Sequence, residues 1–227
     1  MGKIIERIAI SRGHEIVSIY NSQKPFKGNE ECTADVAIEF TRPDTVVEHI
    51  KTAIGQKLPI VVGTTAWSKS QEEIFNLVSQ TQGSLLYASN FSVGVNIFQQ
   101  LTEKLAQLIE SQAQYTLRIE ETHHLQKLDA PSGTAVTLAE GIIANNTNYS
   151  EWLLGNEVLS NQISIVAHRE PDVPGTHEVF ATSTIDTITL SHEAHSREGF
   201  ALGAILAAEF LLGKQGVFTM KDVLNLK

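Results

Sequence analysis

PDTVVEHIKTAIGQKLPIVVG, residues Pro43–Gly63, places a helix directly before a buried strand. Pro43 suits a first helical turn, where a missing N–H has no helical acceptor to disappoint, and the helix runs to Gly55. Pro59–Gly63 is a short apolar run bounded by turn residues, the signature of a strand buried on both faces. Working outward, Ala34–Phe40 reads as the preceding strand, Ser68–Thr81 as the next helix and Ser84–Ala88 as the strand after it. Upstream, Ile4, Ile5, Ile8 and Ala9 mark one face of a helix ending near Gly13, and Ile16–Tyr20 reads as a strand. Helix and strand alternate as a doubly wound parallel α/β sheet demands.

The alternation breaks after Asn90. A long helix from about Val93 to Ser111 leads into a strand, Tyr115–Glu121, then a loop, a helix over Ser132–Asn145, and strands rich in Val, Ile and Thr across Gln162–His192. The pattern predicts a Rossmann-like α/β domain from 1–92 and 199–227, with a second α+β domain carrying a mixed sheet over 93–198. The last helix, about Glu198–Leu212, has an apolar face that suits it to cover the first sheet. A Rossmann domain normally opens with a strand and a glycine-rich turn that presents a helix N-terminus to a pyrophosphate. Here Met1, Gly2 and Lys3 read as the end of such a turn, so the expectation is that the first strand and glycine loop are missing from the chain.

Composition narrows the function. The 227 residues contain 42% hydrophobic and 19% charged residues, an ordinary globular balance. A formal charge of -9 argues against broad nucleic-acid binding, which needs clustered Lys and Arg. The longest apolar stretch, Phe200–Leu212, is interrupted by Glu209 and too short to cross a bilayer. Met1–Gly13 has no signal-peptide core. The single cysteine, Cys32, excludes an intramolecular disulfide and reads as a structural thiol, so a cytoplasmic setting is expected.

The densest chemistry lies in Glu121-Thr-His-His-Leu-Gln-Lys-Leu-Asp-Ala-Pro-Ser-Gly-Thr-Ala135. Adjacent imidazoles, His123 and His124, supply a general acid near neutral pH, and Lys127 supplies a fixed cation. Pro131 suits a first helical turn, Asp129 or Ser132 can cap it, and the amides of Gly133 and Thr134 would then face an anion of carboxylate size. A His-His pair alone is commonly filler, and Pro-Ser-Gly-Thr alone is merely a good helix start. Their concentration with a cation in one loop points instead to a site. No His/Cys cluster has metal-ligand spacing along the chain.

Read from Glu120 or Glu121, the string Glu-x-x-His-His-x-x-Lys-x-Asp-Ala-Pro-Ser-Gly-Thr-Ala resembles the signature loop of the dihydrodipicolinate reductase family. Phe40-Thr-Arg-Pro43, Val62-Gly-Thr-Thr65, Ser89-Asn-Phe-Ser-Val-Gly-Val-Asn96, and Ser196-Arg197 with Phe200-Ala201 match in the same order across nearly the whole chain. The resemblance implies an NADH- or NADPH-dependent oxidoreductase that reduces dihydrodipicolinate to tetrahydrodipicolinate, in the diaminopimelate route to lysine. It implies that His123 and Lys127 are catalytic: His123 protonates the reduced substrate, and Lys127 holds a substrate carboxylate and assists that step. His124, Gly133 and Thr134 would bind substrate. Arg42, Gly63, Thr64, Thr65, Ala88, Ser89, Asn90 and Phe91 would bind the cofactor, and no metal is implied. A homotetramer built through second-domain sheets is a further implication. Asn21, where dinucleotide folds place a charged ribose reader, leaves NADH versus NADPH open. The alternative is an inactive truncated homologue retaining dicarboxylate binding or an assembly role. A different Rossmann oxidoreductase, acting on an amino or semialdehyde substrate, fits the loop less well. Arg169, His177, His192 and Arg197 read as sheet or interface residues.

Overall fold

A computed structural model describes residues 1–28, 33–157 and 159–226. Cys32, read above as a structural thiol, lies outside the described residues. The chain forms two compact units, Met1–Val93 with Glu198–Lys227, and Gly94–Arg197.

In the first unit four parallel strands stand in the order β1 (Ala37–Glu39), β2 (Ile60–Val62), β3 (Ser84–Tyr87) and β9 (Gly216–Phe218). Successive residues of a strand face opposite sides, so each apolar run feeds two cores. Ile60, Val62 and Leu85 pack with α2 (Val46–Gly55) and α3 (Gln71–Thr81), through Ile50, Ile54, Ile74 and Val78. Val61 and Leu86 face the other way, onto α1 (Gly2–Ser11) and α6 (Glu198–Leu211), through Ile5, Ala9, Ala204, Ile205 and Ala208. The late helix α6 thus covers the first sheet. Gly203 permits this approach, because a Cβ there would stand 1.7 Å from the Phe91 carbonyl oxygen.

Several local expectations change. Ile16–Tyr20 is not a strand; Ile16, Val17 and Ile19 are exposed. An extended segment becomes a strand only beside a backbone that completes its ladder, and among the described residues no strand lies next to it. Pro43 sits in a turn before α2, which starts at Val46 after Thr45. Ser68–Ser70 forms a 3-10 turn ahead of α3. Beyond α6, β9 and the four-residue helix α7 (Met220–Val223) were not anticipated.

The second unit is a mixed five-stranded sheet in the order β5 (Glu151–Leu154), β6 (Gln162–Arg169), β4 (Thr116–His123), β7 (Thr176–Thr182) and β8 (Thr187–Glu193). β5, β6 and β4 run parallel, while β7 and β8 are antiparallel to their neighbours. One face is covered by α4 (Val93–Ile109) and α5 (Gly133–Asn145), with Phe98, Ala106, Leu138 and Ile142 packed on Leu117, Ile119, Ile163, Ile165 and Val179. No described helix is long and apolar enough to cross a membrane.

Candidate active site

β4 alternates strictly: Leu117, Ile119, Glu121 and His123 are buried, while Arg118, Glu120 and Thr122 turn to the other face. The first two inward residues belong to the core, and the last two carry titratable groups into it at the strand's C-terminal end. The strand therefore runs two residues further than its apolar pattern suggests. Glu120 faces outward and meets Arg118 and His168, whereas Glu121 faces the site.

The Glu121 carboxylate is buried, and its hydrogen bonds fall on one oxygen. Its Oε1 accepts from Arg169 Nη2 at 3.0 Å and from the Ser132 amide at 3.1 Å, and its Oε2 lies against His123 Nδ1. Burial alone would raise its pKa, but contacts with His123 and Arg169 outweigh that and bring it to about 2. His177, from β7, stacks edge-on against His123 with ring centroids 5.0 Å apart and places Nε2 3.0 Å from Ser132 Oγ. Burial, reinforced by the nearby His123, pushes the His177 pKa down to about 4. His192 lies opposite His177 in the β7–β8 ladder, and its pKa is also lowered by burial.

Ser132 joins these groups to α5. Its Oγ accepts from the Ala135 amide at 3.2 Å, making it the N-cap. Pro131, expected in the first helical turn, instead precedes the cap because Ser132 takes that position; the Ala130–Pro131 peptide bond is cis. Asp129, the other capping candidate, turns away to Lys127, whose Nζ donates to both carboxylate oxygens at 2.9 and 2.8 Å. Lys127 thus already holds a carboxylate. Gly133 is exposed at the first helical position, with open space where a side chain would stand, and Thr134 follows it. His124 is half-buried and pairs with Gln126 Oε1 at 3.1 Å.

Within this unit Glu121 and His177 bond the Ser132 cap of α5, and Arg169 links Glu121 to the Lys127 and Asp129 carbonyls. Glu121, Arg169 and His177 were not assigned to the site from sequence; Arg169 and His177 reach it from β6 and β7. In three dimensions Glu121, His123 and His177 also bring one donor atom each within 4.8 Å of the others, a cation-sized grouping that linear spacing conceals. The Arg169 guanidinium already supplies positive charge to that carboxylate. Arg197 is exposed at the end of the unit.

In the first unit, Arg42, Gly63–Thr65 and Ala88–Phe91 follow the C-terminal ends of β1, β2 and β3, the end at which open parallel sheets take ligands. Gly63 donates to the Glu39 carbonyl at 2.9 Å, and the Phe40 ring occupies the space a Cβ would need, 2.3 Å away. Thr64 Oγ1 accepts from the Thr41 amide at 2.8 Å, and Trp67 Nε1 donates to the Thr64 carbonyl at 2.9 Å. Asn90 Oδ1 accepts from the Ser92 amide at 2.9 Å, while Phe91 is buried against Phe40. Phe91 consequently offers a ligand only its backbone. Arg42 is exposed beside Asp44. Asn21 is committed to a turn, its Oδ1 accepting from Gln23 and Lys24 amides at 2.8 and 3.0 Å.

A parallel α/β unit joined to a mixed-sheet α+β unit defines the Rossmann-like two-domain class. Two solved structures share that fold. The dipicolinate-bound dihydrodipicolinate reductase from Paenisporosarcina sp. TG-14 aligns with a TM-score of 0.67 at 24% identity, over 85% of this chain and 74% of its own. The amine dehydrogenase from Mycobacterium smegmatis aligns at 0.59 and 10% identity, over 97% and 92%. The chain belongs to the dihydrodipicolinate reductase family: residues 1–91 match the family's N-terminal model and residues 94–224 its C-terminal model. It is 44% identical to the 4-hydroxy-tetrahydrodipicolinate reductase of Christiangramia forsetii over 99% of this chain and 94% of that protein. The same enzyme of Methanoregula boonei is 36% identical over 94% and 80%.

Proposed function

We propose that this protein reduces 4-hydroxy-tetrahydrodipicolinate, by way of dihydrodipicolinate, to tetrahydrodipicolinate with NADH or NADPH, in the diaminopimelate route to lysine. The observation that carries the reading is one loop in which a buried imidazole, His123, an ammonium already gripping a carboxylate, Lys127, and the N-terminus of α5 stand together. Those groups match a small, doubly negative ring in both charge and size.

The residues present suit a nicotinamide cofactor on the first unit. Glu39 Oε2, at the C-terminal end of β1, is buried without a hydrogen-bond partner, so a donor from a ligand would satisfy it. The first turn of α1 contains no acidic residue and includes Lys3, which favours a phosphate there. Gly63, Thr64, Thr65, Arg42 and the Ala88–Phe91 backbone would hold the remainder, making the first unit the dinucleotide-binding domain. When bound, the reduced nicotinamide supplies the hydride.

On the second unit, the substrate-binding domain, Lys127 exchanges Asp129 for one substrate carboxylate. Gly133 and Thr134 take the other through the helix end, and His124 adds a contact. Neutralising both carboxylates orients the ring and makes it a better acceptor. His123 then donates the proton that completes the reduction. The sheet face opposite α4 and α5, with half-buried Val166 and Phe180, is the surface through which a homotetramer would form, and the protein would act in the cytoplasm. The test is oxidation of reduced nicotinamide by the full chain, with substrate generated in the assay. Turnover competitively inhibited by dipicolinate supports the proposal; a chain that neither turns over nor binds dipicolinate contradicts it. Light scattering checks the tetramer.

A further inference from the structure

We infer that Glu121 is the positioning residue for His123, fixing a proton on Nδ1 so that Nε2 alone carries the proton exchanged with substrate; this rests on the reading of His123 as proton donor. The two side chains sit two residues apart on one strand, so β4 itself sets their spacing. Glu121 has no freedom to leave. Arg169 and the Ser132 amide hold its Oε1, and the other oxygen faces His123 Nδ1. An ionised carboxylate accepts and never donates, so the nitrogen against it bears the hydrogen.

The opposite ring nitrogen packs beside Gly175, a buried residue with no side chain. A Cβ built on Gly175 would stand 2.9 Å from His123 Nε2 and 3.1 Å from Cδ2. Any side chain at 175 would press on that nitrogen, so glycine there leaves Nε2 unobstructed by a methyl group. The Ser132 amide on Glu121 Oε1 ties this arrangement to the cap of α5. Imidazole orientation and the carboxylate-facing helix end consequently share one anchor.

Nitrogen-15 NMR of the His123 ring in the full-length protein tests the assignment without requiring turnover, with His123→Gln identifying the signals. The wild type in its neutral form should show the Nδ1–H tautomer; an Nε2–H tautomer overturns the inference. Glu121→Leu should shift the neutral ring from the Nδ1–H towards the Nε2–H tautomer, and unchanged populations overturn the inference equally. Should Glu121→Leu fail to fold, the wild-type spectrum still decides. Where Glu121→Leu folds, kcat should fall by up to about 10⁴-fold, the loss seen when an imidazole is left in the wrong tautomer. Separately, His123→Gln turning over like wild type would remove the proton-donor reading while leaving the tautomer assignment standing.

Discussion

His177 gives a stability prediction with a definite sign. Its imidazole is buried between His123 and Glu121 of β4, His192 of β8 and Lys127 of the loop, and its pKa is pushed down to about 4 from an ordinary 6.5. The unfolded chain therefore takes up a proton at a pH where the folded chain refuses it. Stability from this group is level above pH 6.5 and declines as the pH falls towards 4. Linkage over those two values gives a loss of about 1.4 kcal/mol between about pH 7.5 and 5.5, with a ceiling near about 3.4 kcal/mol once both states are protonated. That is a substantial share of a typical domain's stability. Urea unfolding at the two pH values measures it, with Trp152, which packs against the second unit's core, as a fluorescence reporter. His177→Gln, which keeps a group able to bond Ser132 Oγ, serves as the comparison. The wild type should lose about 1.4 kcal/mol more than the variant on acidification. Parallel pH dependences for the two proteins would refute the claim that His177 is held neutral.

Gly203→Ala should destabilise the first unit by more than Gly63→Ala, because the new methyl meets the Phe91 backbone carbonyl in one case and only the Phe40 ring in the other; thermal melts rank them. Arg169→Met strands the buried Glu121 carboxylate, and should cost roughly 3 kcal/mol or more. It should also move the acid-unfolding midpoint upward, since the Glu121 contribution, present above about pH 4.5 and lost towards about 2, depends on that partner. Lys127→Ala should weaken dipicolinate binding by roughly 10- to 100-fold in calorimetry, the range for a charged hydrogen bond, and an unchanged affinity would remove Lys127 from the proposed carboxylate site.

The parallel half of the fold was legible because strands buried on both faces leave continuous apolar runs such as Ile60–Val62, and because α2 and α3 show clear periodicity. Strand Gly216–Phe218 has three residues after a glycine-containing turn, too few to show a period. Glu151–Leu154 lies at a sheet edge with partly exposed side chains and escaped notice for a similar reason. Ile16–Tyr20 shows the converse error, since β-propensity is satisfied only where a neighbouring strand exists. In the site, His123 and Lys127 stood out through local density. Glu121 enters the motif only as an alternative first residue, although the alternation Leu117, Ile119, Glu121, His123 already aims it inward. Arg169 and His177 are distant in sequence and meet Glu121 and Ser132 only when β6 and β7 pair with β4. Asp129 and Ser132 were equivalent capping candidates until Lys127 claimed the former.

Steady-state reduction by His123→Gln beside the wild type is the most direct test of the chemistry proposed for this loop. The variant should retain dipicolinate binding within a few-fold while kcat falls by about 10²- to 10⁴-fold, the range for a missing general acid. A variant that keeps wild-type kcat, or that loses dipicolinate binding and turnover in equal measure, would contradict the assignment of His123 as the proton donor.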